Sequence, residues 1–131
     1  MSAASSLRGL RGAAAVVGVG VAGIGEAHGF TAMEILAQAA AAAVADAGLT
    51  MADIDGVCTA SSTATMWSMN VVEYLGIRPR FVDATMLGGS SFLAHIMPAI
   101  QAGLAALPRT TRCSSSVNVR TRGISGLEVS R

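Results

Sequence analysis

The sequence contains no lysine, and all nine basic residues are arginine. Arginine without lysine, beside heavy use of alanine and glycine, suggests a GC-rich genome. Charge of either sign is scarce, at 13% of residues, against roughly 25% in ordinary soluble domains. With 52% of residues hydrophobic, so few charges do not cover a domain's surface. A large buried interface, or membership of a larger body, is therefore expected, although alanine supplies much of the apolar count. Cysteine is confined to Cys58 and Cys113, without C-x-x-C spacing. That excludes a disulfide framework and suits a reducing compartment. No metal-ligand set is read from the sequence. The net charge of +1 argues against nucleic acid as the main partner.

Long hydrophobic runs are also missing. Residues 13–25, behind Arg8 and Arg11, are too few for a bilayer, which takes about 20. This run has four glycines and no leucine, so it makes a poor signal peptide. No membrane partner and a cytoplasmic location are expected. The small net charge hides an asymmetry. Residues 1–108 carry four Arg against seven acids, or −3, and residues 109–131 carry five Arg against one Glu, or +4.

What is present fits one domain, because 131 residues suffice to bury a core. "AAAVVGVGVAGIG" is a β-rich run broken by glycines, and it predicts a buried central strand followed by a loop. In "GFTAMEILAQAAAAAVADAGLT", Thr31 and Glu34 form a capping box and Gly48 stands just past the helix end. The helix between is apolar on nearly every side, which predicts that it is sandwiched between layers. A second strand is expected over 56–60. A short helix in "SMNVVEYLGIRP" is closed by Gly76 and Pro79, and "RFVDATM" is a third strand. The last helix is expected over 90–107, kinked at Pro98. Alternating strands and helices with short links predict an α/β layered fold around a parallel sheet.

"GVGVAG", Gly18 to Gly23, matches G-x-G-x-x-G after a strand. A dinucleotide site needs its helix to start within that glycine turn, so that the helix N-terminus meets the pyrophosphate. Here the capped helix starts at Thr31, and the second strand ends in "CTAS" with no carboxylate for a ribose. Nucleotide binding ranks below a plain glycine-rich strand end. Trp67, with Met66 and Met69, reads as loop or subunit-contact packing. Cys58 reads as a small buried hydrophobe rather than a nucleophile.

"AAVVGVG", "VADAGLT", "ADIDGV", "VVEYLGIRPRFVD" and "TMLGGSSFLAH" follow one another in this order. Together they resemble the N-terminal part of the thiolase-like superfamily, in particular the acetyl-CoA acetyltransferases related to the sterol-carrier-protein-type thiolases. The resemblance covers residues 12–107 and a minority of a family subunit. It implies the N-terminal portion of a layered α/β fold, with a mostly parallel sheet and a buried helix after the third strand. It further implies homo-oligomers, a coenzyme A thioester as substrate with no bound cofactor, and acyltransferase chemistry that makes or breaks a carbon–carbon bond.

Family members carry a nucleophilic cysteine at the start of that buried helix. Aligned on "GGSSFLAH", Gly89 falls at the cysteine's position and Ser90 and Ser91 follow it. A serine nucleophile needs a base within hydrogen-bond reach. His95, one helical turn beyond Ser91, is the candidate, and His28 is the other histidine. Gly88 and Gly89 would let a thioester approach the backbone closely. The resemblance also covers steroid side-chain aldolases with a glycine-rich turn here, which cleave by acid–base chemistry beside a DUF35-type OB-fold partner. The family's remaining catalytic groups lie in a C-terminal half that these 131 residues do not contain. A chain not catalytic alone is therefore expected, and a non-catalytic binding or assembly fragment is the alternative.

Residues 1–11 read as a flexible N-terminus. Residues 108–131 read as a basic, irregular tail, since "PRTTRCSSSVNV" shows no strand period where the family continues into a buried strand. The abrupt charge change at the same place fits a frameshifted or truncated end. The tail has no aromatic residue to stack on bases.

Overall fold

The computed structural model describes residues 12, 14–104, 110–113 and 117–121. The N-terminal 1–11 and the stretch 122–131 lie outside the described residues. Among the described residues, five strands form one sheet: β1 (Ala14–Val19), β2 (Gly56–Cys58), β3 (Phe81–Asp83), β4 (Thr110–Cys113) and β5 (Val117–Thr121). Their order is β1-β5-β4-β2-β3. β2 runs parallel to β3 and to β4, and β5 is antiparallel to β4 and to β1. Four strands thus run one way and β5 the other, so two of the four pairings are parallel and two antiparallel. Four α-helices accompany it among the described residues: α1 (Ala32–Asp46), α2 (Trp67–Leu75), α3 (Ser91–Ala94) and α4 (Ile96–Leu104).

Two adjacent residues of β2 show how the layers stack, because successive strand side chains face opposite ways. Val57 joins Val44 of α1 and Val71 of α2 in one cluster with Ile54 and Ile77. Cys58 packs with Ala99 of α4 and with Phe81. Helices therefore cover both faces of the sheet, and Cys58 is the small buried residue expected of it.

β1 departs from the expected central strand. Among the described residues it lies at the sheet edge, paired with β5 alone, and Val16 and Val19 are exposed. Its glycines hold it against α1 instead. A β-carbon on Gly20 would collide with the Ala39 carbonyl and the Ala43 nitrogen, and one on Gly18 would meet Ala47 nitrogen at 2.9 Å. Bare backbone on the strand and small alanines on the helix let the two elements touch. The Val19 N–H also donates to Asp46 at the end of α1, at 2.9 Å.

The capping box of α1 is in place. The Glu34 N–H donates to the Thr31 hydroxyl at 3.2 Å, and the Thr31 N–H donates to the Glu34 carboxylate at 2.7 Å. Gly48 follows the helix at φ +67°. The helix is not sandwiched among the described residues, however. Ala39, Ala40, Ala43 and Val44 are buried while Gln38, Ala41, Ala42 and Ala45 face solvent. Alanine exposes so little apolar area that an all-apolar pattern does not require two covered faces. α2 ends as expected, at Gly76 with φ +64°.

The last helix is broken rather than bent. α3 stops at Ala94 and α4 starts at Ile96. Pro98 has no N–H for the Ala94 carbonyl and its ring crowds that carbonyl, so the break falls within the turn before Pro98. The stretch expected as an irregular tail holds β4 and β5. β4 fills the open edge of β2, pairing Gly56 with Thr111 and Cys58 with Cys113. Unpaired backbone groups of a central strand need such a partner whatever the local composition. The sequence did carry a sign of β5, since Val117, Val119 and Thr121 alternate with Asn118 and Arg120.

Candidate functional site

β3 ends at Asp83, and the chain turns at Gly88 into α3 and α4. The turn is held by two buried side chains. The Ser91 hydroxyl accepts from the Leu87 N–H at 2.7 Å and donates to the Gly88 carbonyl at 2.6 Å. Four residues on, the His95 ring bonds through Nε2 to the Thr85 carbonyl at 2.8 Å. A carbonyl only accepts, so Nε2 is the protonated nitrogen. Nδ1 is buried and without a partner among the described residues. Ser91 and His95 are both fully buried.

The structure brings Ser91 and His95 to the turn without joining them as nucleophile and base. Each bonds a backbone group on the strand side of the turn, which pins α3 to the end of β3. Ser91 has its proton committed to the Gly88 carbonyl, and among the described residues no base is hydrogen-bonded to its oxygen. Ser90 is exposed and makes no capping bond with its side chain. His28 is remote in chemistry as well as sequence, being an exposed partner of Glu26 at 2.8 Å.

The two glycines differ. Gly88 takes φ +77°, the left-handed region, whereas Gly89 does not. Neither would place a β-carbon within 4 Å of another group. Gly89 is thus an exposed position with ordinary backbone and open space, where any side chain would fit. Met86 and Leu87 before it in the chain, and Leu93 and Met97 after it, are exposed. Sequence reasoning overlooked Asp83 and Thr85. The Thr85 hydroxyl lies 3.0 and 3.1 Å from the two Asp83 carboxylate oxygens, which orders the strand end from which the His95 contact is made. The only trace in the sequence is an Asp and a Thr two apart at a strand end.

The G-x-G-x-x-G residues form no phosphate cradle. Gly18 lies within β1 and Gly20 follows it, both packed on α1, while Gly23 takes φ +65° in the loop beyond. α1 begins well after them, at Ala32. Among the described residues no group of three or more His, Cys, Asp or Glu is placed to hold a metal, and no helix is long and apolar enough to cross a membrane.

The chain matches no protein-family model. It is 28% identical over 113 residues to a steroid side-chain-cleaving aldolase of Thermomonospora curvata, covering 86% of this chain and 29% of that protein. Among solved structures, the Ltp2–ChsH2(DUF35) aldolase matches with a TM-score of 0.69 at 30% identity, over 78% of this chain and 27% of that one. A monomeric SCP2-thiolase-like protein type 1 from Mycobacterium smegmatis matches with a TM-score of 0.62 at 21% identity, over 77% of this chain and 22% of that one. The fold is thiolase-like. A 3-oxoacyl-(acyl carrier protein) synthase III from Pseudomonas aeruginosa PAO1 extends the thiolase-like group, with a TM-score of 0.65 at 16% identity. This chain spans less than a third of the length of the two aldolases.

Proposed function

We propose that this chain is the N-terminal part of a thiolase-like enzyme that cleaves a carbon–carbon bond beside a coenzyme A thioester, in the manner of an aldolase. One observation carries this reading. The turn at 88–91 has a glycine where a nucleophile would stand, and the Ser91 hydroxyl and His95 imidazole are consumed in holding the turn. Acyl transfer needs a nucleophile and a base that activates it, whereas an aldol cleavage needs a base and an acid but no covalent nucleophile. In that reaction a base takes the proton of the β-hydroxyl. The Cα–Cβ bond then breaks, its electron pair moves toward the thioester carbonyl, and an acid returns a proton to Cα. The glycines admit the thioester to the backbone, and Ser91 and His95 are positioning residues that keep the turn rigid.

The names of the two similar aldolases support this reading, and one of them includes a DUF35 component. A DUF35-type OB-fold partner is accordingly proposed here, and the chain alone is expected to be inactive. A second reading, a binding or assembly fragment without catalysis, draws on the exposed Leu93 and Met97 beside the turn.

Mass spectrometry after incubation with acetoacetyl-CoA tests the absence of a nucleophile. No acetyl adduct is expected, and one mapped to Ser90 or Ser91 would overturn the reading in favour of a serine acyl-enzyme. Gly89→Cys supplies the positive control, since a thiol in that open position should be alkylated by iodoacetamide faster than the buried Cys58. Reconstituted with a DUF35-type partner and a C-terminal half, the enzyme should split a β-hydroxyacyl-CoA without consuming free coenzyme A. A requirement for free coenzyme A would indicate thiolysis instead.

A further inference from the structure

The sheet brings the chain's two cysteines to one rung. Cys58 ends β2, Cys113 ends β4, and the two are direct partners in the parallel β2–β4 pairing. The other rungs of that pairing join Gly56 to Thr111 and Val57 to Arg112. Sequence spacing shows no sign of the meeting, because it depends on β4 filling the open edge of β2. A single bond at this rung is not a disulfide framework. It also suits a reducing compartment, where such bonds form transiently as redox sensors.

Neighbouring strands stand about 4.7–4.9 Å apart, and disulfides join α-carbons about 4.4–6.8 Å apart. Paired residues share a face of the sheet, so a bond between them needs no change of register. A β-carbon spacing equal to the strand spacing still exceeds the roughly 3.5–4.5 Å of a relaxed disulfide. Closing the bond therefore draws the two strand ends together and strains it. Strained disulfides are the readily reduced, regulatory kind rather than permanent staples. Cys58 is fully buried and packs with Ala99 and Phe81, so an outside oxidant does not reach it first. Cys113 closes the β4–β5 hairpin opposite Val117 and is the point of entry.

We infer that Cys58 and Cys113 are a reversible redox pair, which a small-molecule disulfide converts into a bond that latches the end of β4 to the end of β2. The Cys113 thiolate attacks one sulfur of the oxidant, whose S–S bond breaks and releases one small thiolate. The Cys58 thiolate then attacks the Cys113 sulfur of the mixed disulfide and displaces the second small thiolate. Two cysteine thiols are oxidised, one external disulfide is reduced to two thiols, and the two cysteine protons end on those thiols. Oxidising conditions thus tie the β4–β5 hairpin to β2, and reducing conditions release it. Neither cysteine belongs to the turn at 88–91, so the pair does not depend on the function proposed from that turn.

The test equilibrates the full chain with a fixed mixture of reduced and oxidised glutathione, quenches with acid and weighs the intact protein. The expected product is a monomer lighter by two hydrogens, and proteolysis without reductant should yield one peptide pair joined through Cys58 and Cys113. The ratio of linked chain to mixed disulfide should be at least about tenfold higher than in urea. The folded sheet must hold the sulfurs together better than loop closure does in an unfolded chain. Cys58→Ser should stop with one glutathione on Cys113, and Cys113→Ser should stay unmodified because Cys58 is buried. If these variants fail to fold, the wild-type ratio decides. An equal ratio in urea, a chain carrying two glutathiones, or bonds formed only between chains overturns the inference. So does glutathione on Cys58 in folded Cys113→Ser.

Discussion

Gly88 holds φ +77° in open space, so adding a methyl group there meets no neighbour and tests backbone strain alone. Gly88→Ala should therefore cost about 1–2 kcal/mol, the penalty of a left-handed L-residue. Gly89→Ala should be neutral or stabilising by up to about 1 kcal/mol, since an ordinary φ loses only unfolded-state entropy. Urea unfolding midpoints of the two variants check the pair. Equal losses would mean that the turn is not shaped as described. The contrast also bears on chemistry. One glycine makes the turn, and its neighbour, at the position proposed for the missing nucleophile, has no structural need to be glycine.

Among the elements, the contact of β1 with α1 depends on missing side chains. Gly20→Ala places a β-carbon against helix backbone, which cannot rotate away. A loss of about 2 kcal/mol is expected, within the usual cost of overpacking, measured by denaturant midpoint. A nucleotide-binding role for these glycines would instead leave stability almost untouched. At the other end of the same unit, Thr31→Ala should cost about 1 kcal/mol through loss of the cap. Thr31's backbone N–H and hydroxyl hold the Glu34 carboxyl below its ordinary value. A lowered folded-state value means that Glu34's contribution is present above the ordinary glutamate range and is lost as pH falls through the folded value. The gap between wild-type and Thr31→Ala midpoints should thus narrow as pH falls through the acid range. A gap that widens in acid would contradict the capping role.

At the scale of the whole molecule, the described surface carries several large apolar side chains. Ile24, Leu93 and Met66 are exposed by 86%, 74% and 67%, on a chain with few charges. Free apolar area of this kind drives association. Purified alone, the chain is expected to self-associate or to stay soluble only with a partner. Sedimentation at tens of micromolar, a range typical of modest association energies, checks this, and a sharp monomer there would count against it. Addition of a DUF35-type partner should shift the distribution to a defined complex.

The sequence alone determined the features that act over a few residues. The Thr31 capping box, the glycine ends of α1 and α2 and the strand-to-helix turn at Gly88 are all local, because each is decided by the side chains and φ angles of near neighbours. The order of its motifs also carried the thiolase-like fold. Only the tertiary structure decided which strands were central. β1 reads as a core strand yet forms an edge, and "TTRC" reads as a tail yet pairs with β2, because strand position depends on which backbone groups remain unpaired elsewhere. The roles of Ser91 and His95 were equally hidden. Helical spacing predicts their common face, but only the fold brings the Gly88 and Thr85 carbonyls to them, and those carbonyls turn a candidate nucleophile and base into supports for the turn.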